Sequence, residues 1–205
     1  MRSLIIILTF LFASTLTKSQ VLSDSTAFIK KVLGVETNIS KIIYTDRLEP
    51  NFLNNFKRSF AKTIIEGVDS NFKRNTFIIT EQELQLIQKQ LIKFSSPYWT
   101  ENLFYKSILI KLDTLNSILE DKKRGWKYFH KYYGNNFCQF TDPIFLRNKT
   151  ICIIQYYYKT DDRNGRHELC IYKKSGNKWR KILLLFGGSF GNDVLTSRFT
   201  KPIQL

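Results

Sequence analysis

Residues 137–186 read FCQFTDPIFLRNKTICIIQYYYKTDDRNGRHELCIYKKSGNKWRKILLLF, and they decide the fold class. Four runs stand out, Phe137–Leu146, Thr150–Lys159, Arg166–Lys174 and Lys178–Phe186, each rich in β-branched and aromatic residues. Turn formers separate them: Arg147-Asn148-Lys149, Asp161 through Gly165, and Ser175-Gly176-Asn177. The pattern predicts a four-stranded antiparallel meander ended by Gly187, Gly188 and Gly191, with 192–205 as a loose tail. The stretch 186–192 (FGGSFGN) is glycine-rich, but Asn192 and Asp193 stand where a phosphate-binding loop has its Lys-Ser/Thr step. A turn is expected there.

Upstream the period changes from two to about 3.6. Residues 23–33 suit a short helix, with Ser23 or Asp24 as cap and Gly34 as the stop. KIIYT at 41–45 reads as a short strand. Pro50 suits a first helical turn, and Phe52, Phe56, Phe60 and Ile64 recur every four residues, on one helix face. Thr76 to Ile79 is β-rich. Thr80 with Glu83 three residues later forms a capping-box pattern, and Leu84, Ile87, Leu91 and Phe94 extend a helix over 80–94, closed by Ser95, Ser96 and Pro97. Residues 103–111 look like a strand, Asp113 a cap for a helix to Glu120, and Trp126, Phe129 and Tyr133 one face of a further helix ending at Gly134. These helices need an apolar surface, and the meander needs one face covered. The expected class is α+β: N-terminal helices with short strands packed on a C-terminal four-stranded antiparallel meander.

Arg2, the apolar run Leu4 to Ala13 and the small polar stretch STLTKSQ have the three parts of a secretory signal. A run of that length is too short for a bilayer, which needs about 20 apolar residues. Residues 1–19 are therefore expected to be removed before Gln20, leaving 20–205 as a single domain. Losing Arg2 and Lys18 lowers the formal charge from +15 to +13. Cysteine first occurs at Cys138, which excludes cleavage at a lipidated cysteine of the signal, and no transmembrane segment is expected in the mature chain. The expected location is the periplasm or the medium.

The segments GWKYFHKYYG (125–134), FTDPIFLRNKT (140–150) and IYKKSGNKWRK (171–181), with WTENLF (99–104), resemble exported, uncharacterised proteins of Bacteroidota, especially flavobacteria. Those proteins look like W..F...Y, then F.SPIF, a tyrosine-rich strand and LYKK.NGKW. The resemblance covers about half of the mature chain and implies the compartment and the meander. Many such proteins carry a Cys-Gly…Cys-Gly element between the second and third strands; here 157–170 keeps only Cys170. The family implies no activity.

The histidines are His130 and His167. A general base needs a neighbouring carboxylate, whereas a surface histidine among lysines needs none, and the second reading is preferred. No HxH, HExxH or paired-cysteine spacing offers a metal site and no GxSxG elbow occurs, so no catalytic, cofactor-binding or metal residue is assigned. Asp161 and Asp162 could form a weak calcium site, but a hairpin turn is the simpler reading. If Thr160 and Gly165 flank that turn, opposed residues sum to about 325, so Cys152 faces the region of Lys173 and Cys170 that of Gln155. Such diagonal cysteines suit a disulfide poorly. Three reduced thiols are expected, with Cys152–Cys170 as the nearest approach to a bridge.

Basic character is the one global feature that bears on partners. Lys122, Lys123, Arg124, Lys127 and Lys131 interleave with Trp126, Tyr128, Tyr132 and Tyr133; Lys178, Arg180 and Lys181 surround Trp179. Lysines neutralise anions and aromatics stack, a combination that suits a polyanion. Export makes an anionic envelope component more accessible than intracellular nucleic acid. The alternative is a solvated lysine-rich surface with the aromatics in the core. The leading expectation is a non-catalytic exported binding or interaction domain of the periplasm or envelope. A hydrolase with a site assembled from distant residues and a polyanion-binding protein are its rivals.

Overall fold

The computed structural model describes residues 24–32, 42–94, 99–104, 106–121 and 123–190, the side chains of 188–190 excepted. The chain divides into two compact units, Met1–Ser40 and Lys41–Leu205, so the expected domain 20–205 spans both. In the first unit, residues 24–32 are helical (α1), and Ser25, Phe28, Ile29 and Val32 recur along one face and are buried. The signal segment 1–19, Ser23, Gly34, Ser95 to Pro97, Lys122 and the tail 192–205 lie outside the described residues.

The second unit is α+β, built on a nine-stranded mixed sheet rather than four strands alone. The strands are β1 (Ile43–Thr45), β2 (Ile64–Val68), β3 (Arg74–Ile78), β4 (Ile108–Ile110), β5 (Phe137–Phe140), β6 (Ile144–Leu146), β7 (Ile151–Lys159), β8 (Gly165–Ser175) and β9 (Lys178–Phe190). Their order is β3-β2-β9-β8-β7-β5-β1-β4, with β6 also paired to β7. Helices α2 (Pro50–Ser59), α3 (Glu81–Lys93), α4 (Leu112–Leu119) and α5 (Gly125–Tyr132) complete it.

The expected meander forms its centre. The first run is one path broken in two: Phe137 pairs Lys159 through to Phe140 with Tyr156, and pairing resumes one residue out of step at Ile144 with Ile153. Pro143 lacks a donor, and the bulge at 141–143 absorbs it. The β7–β8 register runs from Ile151↔Lys173 to Lys159↔Gly165, so opposed residues sum to 324, one less than expected. Cys152 therefore faces Tyr172, and Cys170 faces Ile154.

Gly187 and Gly188 do not end the last strand, and no turn forms at 186–190. β9 runs on to Phe190, opposite Gly165. Gly187 has φ +102°, and a Cβ there would lie 1.8 Å from the carbonyl oxygen of His167. Glycine thus lets the two strands close up where a side chain would part them.

The edge strands β3 and β4 overlap the stretches read as β-rich at Thr76 to Ile79 and as a strand at 103–111, but β2, next to β3, came from a segment read as helix. Helix α2 ends at Ser59, and Ile64 opens β2, half exposed while Ile65 enters the core. The four-residue spacing therefore holds for Phe52, Phe56 and Phe60 but not for Ile64. Helix α3 has the expected capping box, Thr80 and Glu83 each bonding the other's backbone. Asp113 does not cap α4: Asp46 Oδ1 accepts from Leu112 N at 2.9 Å, while Asp113 pairs with Arg47 at 2.6 Å.

Helices α2 and α3 cover Ile151, Ile153, Leu169 and Ile171, the odd-numbered side of β7 and β8, with Phe56, Phe60, Ile87 and Leu91. Helices α4 and α5 pack Leu115 and Phe129 on Ile43, Ile110, Phe137 and Tyr157. Each such large side chain contributes about 1.5–3 kcal/mol before entropy is counted. Burial is not limited to the one face that the helices were expected to cover. The even-numbered side, with Cys152, Ile154, Tyr156, Glu168, Cys170 and Tyr172, is buried too.

Candidate functional site

The even-numbered side carries a buried charge cluster. Antiparallel register sets Tyr156 opposite Glu168 and Tyr158 opposite Arg166. Glu168 Oε2 accepts from Tyr156 at 2.5 Å, Lys181 Nζ at 2.9 Å and Cys170 Sγ at 3.3 Å. Its other oxygen takes Arg166 Nε and an Arg166 terminal nitrogen, both at 2.6 Å. Tyr172 hydrogen-bonds Tyr156 in turn. Burial alone would push the Glu168 carboxyl up, but Arg166, Lys181 and the Tyr156 hydroxyl outweigh it and hold the group below the usual carboxylate range. Burial raises Tyr156, Tyr172 and Cys170 well above their ordinary values, so all three remain donors. A carboxylate met by this many donors is an anchor between strands. It is not a free base.

His167, expected at the surface among lysines, is instead buried, and it projects to the opposite side. Its ring packs 4.1 Å from Phe52 and 5.0 Å from Phe186, centre to centre. Gln155 Nε2 donates to the carbonyl oxygen of Phe52 at 2.8 Å and lies 2.8 Å from His167 Nε2. The amide has two hydrogens, so His167 Nε2 accepts and the proton sits on Nδ1. Burial holds the pKa of His167 down to about 4, the charge of Glu168 opposing only in part. Its bonding partner is an amide, not a carboxylate. Gln139, beside it on the sheet, accepts from the backbone N–H of Glu49 at 3.2 Å, so two glutamines tie the first turn of α2 to the sheet.

His130 lies on the surface of α5, with Nε2 donating to the carbonyl oxygen of Thr160 at 2.9 Å. Asp161 accepts from the backbone N–H groups of Arg163 and Asn164 and from the Asn164 side chain. The Asn164 side chain contributes most to lowering its pKa. The 161–164 segment is thus an aspartate-closed turn, and no group of three or more metal-ligating side chains occurs among the described residues. Cys138, Cys152 and Cys170 are free and buried, and burial raises each thiol. The recess between Arg47, Phe94, Trp99 and Asp142 measures about 10 Å³, room for about one water.

The two basic-aromatic groups diverge. Helix α5 buries Phe129 and packs Trp126 on Phe137, while Arg124, Lys127, Tyr128, Lys131 and Tyr132 are exposed. Those five follow the i, i+3, i+4, i+7, i+8 spacing of one helix face. Tyr128 and Tyr132 are 48% and 56% exposed, with ring centres 4.5 Å apart. Lys123 is exposed just before the helix. In the second group Lys181 is spent on Glu168 and Trp179 is buried against Phe145, leaving Lys178 and Arg180 exposed. The groups sit at opposite ends of β7 and β8: α5 meets Lys159 and Thr160, and Lys178 pairs Ser175 beyond Ile151. The eight steps of strand from Ile151 to Lys159 separate them, about 26 Å at 3.3 Å per step. Trp126 and Trp179 also lie on opposite faces of the sheet, through Phe137 and Phe145 respectively.

Sequence reading named the cations but missed the stripe geometry and the whole Glu168 cluster. The signal for the cluster was present: a register sum near 325 puts Tyr156 almost opposite Glu168. Comparison with protein families, curated proteins and solved structures found no match to the chain.

Proposed function

We propose that this chain is an exported, non-catalytic binding domain of the periplasm or cell envelope. One observation carries the reading: the outer face of α5 presents cations and aromatic rings to solvent, while His167, the three cysteines and Glu168 are bound into the interior. The decapeptide Leu4–Ala13 behind Arg2 and the resemblance to exported Bacteroidota proteins support the compartment.

Fractionation of producing cells, followed by N-terminal sequencing, tests export. The expected product starts near Gln20 in the periplasm or medium. Retention of Met1 in the cytosol would contradict it. The non-catalytic half fails if the native protein shows a hydrolytic activity that His130→Asn or His167→Asn abolishes while leaving the fold intact.

A further inference from the structure

The geometry points to an acidic polysaccharide, a chain of sugar rings bearing carboxylates, as the ligand of the α5 stripe. This assignment rests on the binding reading above and names its substrate class. Arg124, Lys127 and Lys131 lie on one face over about 10 Å of helix at 1.5 Å per residue. Among the described residues none of the three has a carboxylate partner, in contrast to Arg47, Arg147, Arg166 and Lys181. Charge complementarity therefore calls for a partner with repeated anionic groups. Arg124 supplies a planar fork that matches a carboxylate.

The tyrosines narrow the class. Tyr128 and Tyr132 form one tilted pair in the middle of the cations, and Lys131 Nζ lies 4.9 Å from the centre of the Tyr132 ring. The result is an aromatic platform edged with hydroxyl and ammonium groups. Flat C–H faces of sugar rings pack on such rings while their hydroxyls bond the rim. An anionic membrane fits less well, because a lipid-inserting helix needs an apolar outer face and α5 has turned Phe129 inward. A nucleic-acid strand fits less well, because sequence-tolerant binders track the backbone along a groove and this surface is the outer side of a helix.

The test uses the purified native protein with polygalacturonate, neutral dextran, oligothymidylate and phosphatidylglycerol vesicles as probes, read by calorimetry. Polygalacturonate is expected to bind and dextran not. Three neutralised anions give a log–log salt slope of about −2.1 to −2.7, so binding weakens roughly 20- to 40-fold between about 50 and 200 mM salt. Lys127→Gln with Lys131→Gln, and separately Tyr128→Ala with Tyr132→Ala, should each weaken binding at least tenfold. Lys178→Gln with Arg180→Gln, at the far end of the sheet, should leave it within twofold. Unchanged circular dichroism and melting in all three variants establishes that the fold is intact. Tighter binding of oligothymidylate or vesicles than of polygalacturonate overturns the ligand class. Loss of binding only in the Lys178/Arg180 variant overturns the surface, and no binding of any anionic polymer overturns the inference outright. A cytosolic location or a histidine-dependent activity would instead defeat the parent reading, whatever these isotherms show.

Discussion

Replacing Glu168 by glutamine keeps its shape and removes its charge, which isolates what the buried carboxylate does. Its side chain is 4% exposed, against 14% for Arg166 and 26% for Lys181. Removing one partner of a buried ion pair costs about 3–5 kcal/mol, because the other charge is left without compensation. Both cations here retain some access to water, so Glu168→Gln is expected to cost about 2–4 kcal/mol. In a domain of this size each kcal/mol lowers Tm by about 2–4 °C, so a fall of roughly 4–16 °C should result. Lys181→Gln alone should cost less, near 1 kcal/mol, since Arg166 still neutralises the carboxylate. The double variant should recover part of the loss, with a coupling of about 1–2 kcal/mol. Urea denaturation at neutral pH measures all three, provided the slope with urea is unchanged. A Glu168→Gln cost below about 0.5 kcal/mol, or no coupling to Lys181, would refute the role given to this cluster.

Other outcomes follow from the same interior. His167 titrates at about 4 when folded and about 6.5 when unfolded, so the unfolded chain takes up the extra proton first. Its contribution is present above about pH 6.5 and is lost as pH falls toward 4, by about 2–3 kcal/mol, and His167→Gln should flatten that part of a stability–pH curve. Gly187→Ala must part β8 from β9 at His167, so it should cost at least about 2 kcal/mol and speed amide exchange at 165–169; a neutral result would show that the strands do not close there. Arg147, Asn148 and Lys149 all have φ between 52° and 61°, so Lys149→Gly at the exposed turn should raise stability by about 0.5–1 kcal/mol in the same urea assay.

What could be read from sequence was mostly local. The β7–β8 hairpin needed only the turn residues at 161–165, although its register came out one residue off, and α3 announced itself through Thr80 and Glu83, because hairpins and caps are decided by neighbours in the chain. The parallel pairing of Ile43–Thr45 with Ile108–Ile110, and of Tyr44 with Cys138, joins segments dozens of residues apart, and no local pattern encodes it. Ile64 misled for a physical reason: a spacing of four continues a helix as readily as it begins a strand, and only the burial of Ile65 decides between them. The cluster was obscured by its own chemistry. A glutamate beside a histidine in a strand suggests an acid–base pair, yet neighbours in a strand point to opposite faces, and Glu168 and His167 never share a site.

The most direct measurement is hydrogen exchange of the native protein, by mass spectrometry, with and without saturating polygalacturonate. Binding through α5 predicts slowed exchange in peptides covering 123–133 and no change across 173–181. Protection confined to 173–181, or none anywhere, would contradict the assignment of α5 as the binding surface.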